Sequence, residues 1–426
     1  MGTILCDEES RARGVVVTVN PAALKPVLAH LKRFLSPYLP LFGKQETQDN
    51  AKRAVQGLLS DLPRKTAEPI AELHGRPRRG MQQFLGAGCW QDKQLIDLLV
   101  EEVRAELGSV DGVLIIDPSG FPKKGEESVG VSRQWCGRLG KVENCQVGVF
   151  LSYASRKGHT LVDYRLYLPQ EWAKDKARRE KCYVPKGVEF QRSWELGLEM
   201  VANRAASLPH RWILGDDEFG RVSQFRDLLA ERDERYMLDV PSTTKVKILG
   251  QVPHPGRPPG PISVSNWAAG RPSRDWRVFT VRDGAKGPLQ VRALWTRVMT
   301  RLDPSKRNSP WVRKETLVVI KTLGQNPETK YLLSNADETI TFQEKVQAAC
   351  TRWRVEDAIE RAKGEVGLAQ YEARSWTGWH HHMTLGLMAL WFLVREHSRL
   401  RAAFPPCDSP ATPPLHRGTT PSPTDT

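Results

Sequence analysis

Apolar residues change their spacing twice along this chain. From about residue 21 to 110 they recur every three or four positions, as in Leu24, Val27, Leu28, Leu31, Phe34 and Leu35, and again in Leu95, Leu98, Leu99, Val103 and Leu107. That period predicts amphipathic helices. Between them lie Arg64-Lys65 and the basic turn Arg76-Pro-Arg-Arg-Gly80. Short helices with a basic connector suit a DNA-binding bundle, and ordinary helical packing nearly as well.

At Val113 the spacing collapses into a continuous run, Val113-Leu-Ile-Ile116, which ends in Asp117. Such a run marks a strand buried on both faces. Pro118, Gly120 and Pro122 are expected to break it, and a polar loop carrying Lys123, Lys124, Arg133, Arg138 and Lys141 follows. Strands are predicted over 145–153 and 160–168, then a helix over 191–206. In Arg211-Trp-Ile-Leu-Gly-Asp-Asp-Glu-Phe-Gly220 a second short apolar strand runs into acids; a helix over 222–231 and a strand over 235–240 come next. The texture of 241–341 is strand and loop, with a Pro-rich loop at 253–261 and strands over 276–281, 289–296, 317–321 and 331–334.

A helix over 351–365 has neither Pro nor Gly before Gly364. At 3.6 residues per turn Arg352, Glu356 and Lys363 share one stripe, flanked by Trp353 and Ile359. Read alone, this is a solvated helix with an Arg352–Glu356 pair of a common and weak kind. A last helix passes through 383–395, and the Pro-, Thr- and Ser-rich tail from 405 is expected to be disordered.

Lys and Arg number 63 against 49 Asp and Glu, a net +14. That excess points to a polyanionic partner, most simply nucleic acid. The seven cysteines form no CxxC pair, which argues against a zinc ribbon or disulfide framework. The first residues lack a basic stretch followed by an apolar core, so no signal peptide is expected. The longest apolar run, 383–394, is too short to span a bilayer. A cytoplasmic protein without membrane contact is the expectation. His380-His-His382 invites a metal reading, but three adjacent helical side chains point about 100° apart and cannot chelate one ion together.

Asp117 and Asp216 each stand at the C-terminal end of an apolar strand, where open α/β sheets bind ligands. A carboxylate there needs a cation or hydrogen-bond partners. Two strand-end aspartates and a helix-borne Glu356 make an oxygen-only set suited to Mg²⁺, with Mn²⁺ as substitute, rather than zinc. Two ions about 3.5–4 Å apart on such acids would serve phosphoryl transfer. The competing view makes Asp216 a helix cap.

These motifs together resemble bacterial insertion-sequence transposases of the DDE kind, in the cut-and-paste branch with a Tyr-x2-Arg-x3-Glu-x6-Lys signature. Arg352, Glu356 and Lys363 fall at those spacings, while Ala349 occupies the Tyr position. The first acidic motif looks like Ile115-Ile-Asp-Pro-Ser-Gly-Phe-Pro-Lys-Lys-Gly125 and the second like Gly215-Asp-Asp-Glu-Phe-Gly220; in the latter the family's acid stands four residues before the glycine, which selects Asp216 over Asp217. The resemblance implies an α/β fold: an RNase H-like catalytic core with a β-rich insertion, preceded by an α-helical N-terminal domain. It makes Asp117, Asp216 and Glu356 the catalytic, metal-binding triad, with Arg352 and Lys363 on DNA phosphate near the cut. Lys123, Lys124, Arg133, Arg138 and Lys141 are further phosphate contacts expected from their position after Asp117.

The domain boundaries expected are an arm at 1–20, a DNA-binding helical domain at 21–110, the core at 111–240 and 342–400, the insertion at 241–341 and the tail at 401–426. The function expected is Mg²⁺-dependent cleavage and strand transfer on double-stranded DNA, at terminal inverted repeats and target, by a bacterial, nucleoid-associated enzyme that is a homodimer in the DNA complex. Two alternatives are a catalytically inactive, transposase-derived DNA-binding protein and a hydrolase of small phosphate esters.

Overall fold

The computed structural model describes residues 26–250, 260–282, 288–306, 308–324 and 326–403. The expected arm at 1–20, most of the loop at 253–261 and the tail beyond 403 lie outside the described residues. The chain opens with α1 (Val27–Leu35), a 3-10 turn, α2 (Gln45–Leu59), α3 (Ala67–Leu73), α4 (Arg78–Ala87) and α5 (Asp92–Leu107). Their apolar stripes bury Leu31, Phe34, Val55, Ile70, Phe84, Leu95 and Leu99 in the same core that holds the sheet. The helices are thus packed onto the strands rather than held apart from them.

Next come β1 (Val113–Pro122), β2 (Ser132–Cys136), β3 (Lys141–Ser155), β4 (Gly158–Tyr167), α6 (Gln170–Lys174), α7 (Lys176–Lys181), α8 (Ser193–Arg204), β5 (Trp212–Gly215), α9 (Asp217–Gly220), α10 (Ser223–Ala230) and β6 (Tyr236–Asp239). Side by side the strands run β4, β3, β1, β5, β6. The first two junctions are antiparallel and the last two parallel.

Two expectations fail here. Pro118, Gly120 and Pro122 do not end β1, which stays paired with β3 as far as Pro122↔Cys145. The pairing with β5, by contrast, stops at Ile116↔Gly215. Prolines at 118 and 122 share one parity, so the N–H groups they lack belong to a single edge of the strand, and past Gly215 one edge carries no ladder. The expected polar loop holds for 123–131, but its later part is a hairpin: β2 pairs with the start of β3 in the register Trp135↔Val142. Its polar sequence lacks buried alternation because the hairpin stands out from the core, with Trp135 and Val142 exposed.

From β6 the sheet continues through β7 (Lys245–Ile248), β8 (Ile262–Ser263), α11 (Val264–Ala269), β9 (Arg277–Arg282), β10 (Leu289–Arg301), β11 (Trp311–Thr322) and β12 (Thr329–Ser334). The connection is lateral, since β12 pairs with β6 through Leu332↔Asp239. Alternation along β11 divides its side chains between two cores. Val318 and Ile320 join the large one, whereas Leu317 and Val319 join a small one with Val246, Trp267, Leu294 and Val298.

The chain closes with α12 (Phe342–Ala349), α13 (Trp353–Gly364) and α14 (Trp376–Ala403). Helix α14 is apolar on all sides from Met383 to Phe392 and is buried there, packed against α2, α4, α5 and β4. A helix apolar all round needs such enclosure. Among the described residues no helix is long and apolar enough to cross a membrane. The five cysteines described there are all free thiols.

Candidate active site

Strand register assembles the site. Ile116 on β1 pairs with Gly215 on β5, and Gly215 pairs in turn with Leu238 on β6. Asp117, Asp216 and Asp239 are each the next residue. Three aspartates therefore stand in a row where the parallel pairing of three adjacent strands stops, although β1 itself continues to Pro122, with neighbouring strands about 4.8 Å apart. Helix α13 lies over β1, β3 and β4, held down by buried Val355, Ala358, Ile359 and Ala362. That packing turns the stripe of Arg352, Glu356 and Lys363 toward the aspartates.

The centre of the row is a guanidinium. Arg352 donates from Nη2 to Glu356 Oε1 at 2.6 Å and from Nη1 to Asp117 Oδ1 at 3.4 Å, and its Nε lies 3.3 Å from Asp239 Oδ2. The i,i+4 pair of a solvated helix is thus present, but it is half-buried and shared with carboxylates from two other elements. Among the described residues no three His, Cys, Asp or Glu side chains are grouped so as to hold a metal ion. The acids converge on Arg352 instead.

Negative charge is in surplus around it. Burial, then Asp216, Glu356 and Glu218, push the Asp117 carboxyl well above the usual carboxylate range against the pull of Arg352. Burial, Glu218 and Asp217 push Asp216 up to about 7. Asp239 is raised by burial as well. Burial alone would lower Arg352, yet Asp239, Glu356 and Asp117 hold it above its ordinary value. Asp216 also caps α9, accepting from Glu218 N at 3.0 Å, so cap and cluster member are one residue. Asp217 is half-exposed and paired with Arg221 at 2.6 Å.

Residues 37–288 match the family described as DDE superfamily endonuclease. The chain belongs to that family. The matched span includes Asp117, Asp216 and Asp239 and stops short of Glu356. The chain is also 26% identical over 235 residues to the "Probable transposase for insertion sequence element IS701" of Microchaete diplosiphon, over 54% of this chain and 59% of that protein. It thus spans a little under three fifths of that relative. The cryo-EM structure of a piggyBac transposase synaptic complex with hairpin DNA aligns with 89% of this chain and 74% of its own, at a TM-score of 0.41 and 11% identity.

The remaining residues of interest in this DDE family member are scattered. Lys363 is held to β1, donating from Nζ to Ser119 Oγ at 2.7 Å and to Gly120 O at 3.0 Å. Burial, then Arg138 nearby, lower it to about 8. Lys123 is on the loop as expected but half-buried; its Nζ lies 3.4 Å from the centre of the Tyr371 ring, and burial lowers it to about 8. Lys124 is exposed beside Arg64 and Arg374 in a groove of about 560 Å³. Arg133, Arg138 and Lys141 ride on the β2–β3 hairpin, where Lys141 pairs with Glu143 at 3.0 Å. Ala349, at the signature Tyr position, is buried and lines a narrow cavity with Lys330, Arg352 and Glu356.

The histidine run divides three ways. His380 meets Trp376 O, His381 meets Leu85 O and Trp90 O, and His382 meets Gly367 O. Burial lowers all three, His380 and His382 to about 4. These are neutral core side chains, as their angular spacing requires. Asp239 and Lys330 went unnoticed in the sequence. A weaker signal for Asp239 was available, since it stands one residue before the end of the strand predicted over 235–240; for Lys330 there was none.

Proposed function

We propose that this chain is a DNA transposase that cleaves and joins strands at the ends of an insertion sequence by cut-and-paste, with Asp117, Asp216 and Glu356 as its catalytic carboxylates. The observation carrying this is the register that sets Asp117 and Asp216 one step beyond paired residues on adjacent parallel strands, with Glu356 tied to the same place through Arg352. We read the strand order β4-β3-β1-β5-β6, with its switch from antiparallel to parallel, as an RNase H-like core. The residues from β7 to β12 form its β-rich insertion, and α1–α5 a DNA-binding region.

The donor set suits a hard divalent cation, since it consists of carboxylates whose charge one guanidinium does not balance. Asp117, Asp216 and Glu356 would hold Mg²⁺ or Mn²⁺, and such ions stabilise attacking and leaving oxygens in phosphoryl transfer. The chain's own residues do the rest. Lys363, tethered to Ser119 and Gly120, fixes a cation beside the cluster where charge-assisted contact with a phosphate orients the scissile bond. Arg133 and Arg138, on a hairpin whose tip reaches toward Lys363, would carry the adjoining backbone. Double-stranded DNA is the substrate in this reading, and a homodimer bridges two ends.

Labelled duplex from the gene's own flanks, incubated with and without Mg²⁺, tests the proposal. Cleavage should require the ion and fall by roughly three orders of magnitude or more in Asp117→Asn, Asp216→Asn and Glu356→Gln, with salt-dependent DNA binding retained. Full activity in any one of these would remove that residue from the triad. Retained binding with no cleavage by the unsubstituted chain would favour a DNA-binding derivative.

A further inference from the structure

Asp239 is the carboxylate of the row that neither motif nor spacing singled out. It ends β6 and pairs with Leu332 on β12, where the sheet passes from the aspartate-bearing strands into 241–341. Its Oδ2 lies 3.3 Å from Arg352 Nε and 3.9 Å from Lys330 Nζ. Its Oδ1 is buried with no hydrogen-bond partner in the structure.

Arg352 spreads its nitrogens over three acids in an ordered way. The two terminal nitrogens donate to Asp117 Oδ1 and Glu356 Oε1, whereas the inner Nε makes no hydrogen bond and faces Asp239 Oδ2 as an ion pair at 3.3 Å. A divalent ion bound by Asp117 and Glu356 draws on those same oxygens, and no carboxylate oxygen serves both cations at full strength. The guanidinium is always charged, so it cannot leave by losing a proton. Its side chain is only 12% exposed, and a buried guanidinium stripped of its partners is strongly unfavourable. Asp239 offers a way round this conflict. An arginine anchored at Nε can swing its terminal nitrogens off the other two acids and stay paired.

We propose that Asp239 is a positioning residue that keeps hold of Arg352 through Nε, so that the terminal nitrogens release Asp117 and Glu356 to a divalent cation and turn to a phosphate of the DNA. The proposal rests on the metal-dependent reading above. It makes Arg352 a resident counter-ion of the acid cluster and Asp239 the anchor that lets it move.

A double-substitution cycle on Mn²⁺ affinity, read from the paramagnetic resonance of the free ion, tests this without any assay of cleavage. Arg352→Gln removes the competing cation and should tighten Mn²⁺ binding about tenfold. Asp239→Asn leaves the guanidinium with only Asp117 and Glu356, and should weaken binding by about the same factor. The double variant should return to the affinity of Arg352→Gln, because Asp239 then has nothing to hold. Asp239→Ser is the second variant should the amide not fold. Mn²⁺ affinity unchanged in Asp239→Asn, or equally weakened with and without Arg352, overturns the proposal; the latter would make Asp239 itself a ligand. If the unsubstituted chain binds no Mn²⁺, the metal-dependent reading fails and this proposal with it. Binding that Glu356→Gln abolishes but Asp239→Asn leaves alone defeats the anchor only.

Discussion

Strand β6 serves two buried charge clusters, one at each end, and they are built on opposite terms. At its start Tyr236 donates to Glu315 Oε1 at 2.7 Å, the same oxygen lies 3.0 Å from Arg226 Nε, and Thr300 donates to Oε2. One acid there meets one arginine and two hydroxyls, and each carboxylate oxygen has a donor. A second balanced cluster lies near the outer edge of the sheet, where Asp163 accepts from Arg204 at 2.6 Å and Arg165 at 2.7 Å. At the far end of β6, Asp239 joins Asp117 and Glu356 around Arg352, with Asp216 beside them and Lys330 as a more distant second cation, 3.9 Å from Asp239. A balanced cluster gains from being left as it is. A cluster with surplus carboxylates carries an electrostatic cost that another cation would relieve, and such imbalance is where function is to be sought.

Removing charge should therefore have opposite effects at the two ends. Glu315→Gln leaves the Arg226 guanidinium buried beside a neutral amide. Breaking a buried pair on one side costs about 3–5 kcal/mol, and the unfolding midpoint in denaturant should drop accordingly. A loss below about 1 kcal/mol would mean that the Tyr236 and Thr300 hydroxyls, not the ion pair, hold this end together.

How much of this contrast could be read from the sequence depends on what each feature needs. Val113–Ile116 and Trp212–Gly215 announce themselves because a buried strand writes its apolar character into consecutive residues. The stripe on α13 is equally local. The hairpin of β2 and β3 left no such mark, since exposed strands need no alternation and Pro118 and Pro122 looked like an ending. Partnership is the least legible property of all. Arg352 and Asp239 lie 113 positions apart, and only the β5–β6 register together with the packing of α13 on the sheet brings them together. Glu315 and Asp239 look alike as letters, and their difference lies in which cations the fold delivers to each.

The second prediction reverses the sign of the first. Asp117→Asn takes one charge from the crowded cluster and leaves Arg352 paired with Glu356 and Asp239. At pH 8, with chelator present, the variant should be more stable than the unsubstituted chain by about 0.5–2 kcal/mol, the usual return for relieving a strained functional site. Thermal unfolding monitored by calorimetry reads this directly. A destabilised variant would mean that Asp117 is needed to compensate Arg352, and the two ends of β6 would then be alike.

The weakest expected signal is a slope. Burial and the neighbouring acids raise Asp216 from an ordinary 3.8 to about 7 in the folded chain. Between those values the folded protein holds a proton that the unfolded chain has released. The stability this proton contributes is complete below about pH 4 and is lost as pH rises through 7. One proton corresponds to a slope of at most about 1.4 kcal/mol per pH unit, and sharing among the coupled acids reduces it. Asp216→Asn keeps a side-chain oxygen to cap α9 but cannot ionise. The variant should match the unsubstituted chain near pH 4 and exceed it progressively up to pH 7, with no further gain above that. Glu315→Gln, measured alongside, should show no such widening, because the deficit it creates lies in a guanidinium charged throughout the range. Parallel stability curves for Asp216→Asn and the unsubstituted chain would show that the acid cluster is as well compensated as the one at Glu315, and the contrast between the two ends of β6 would fall.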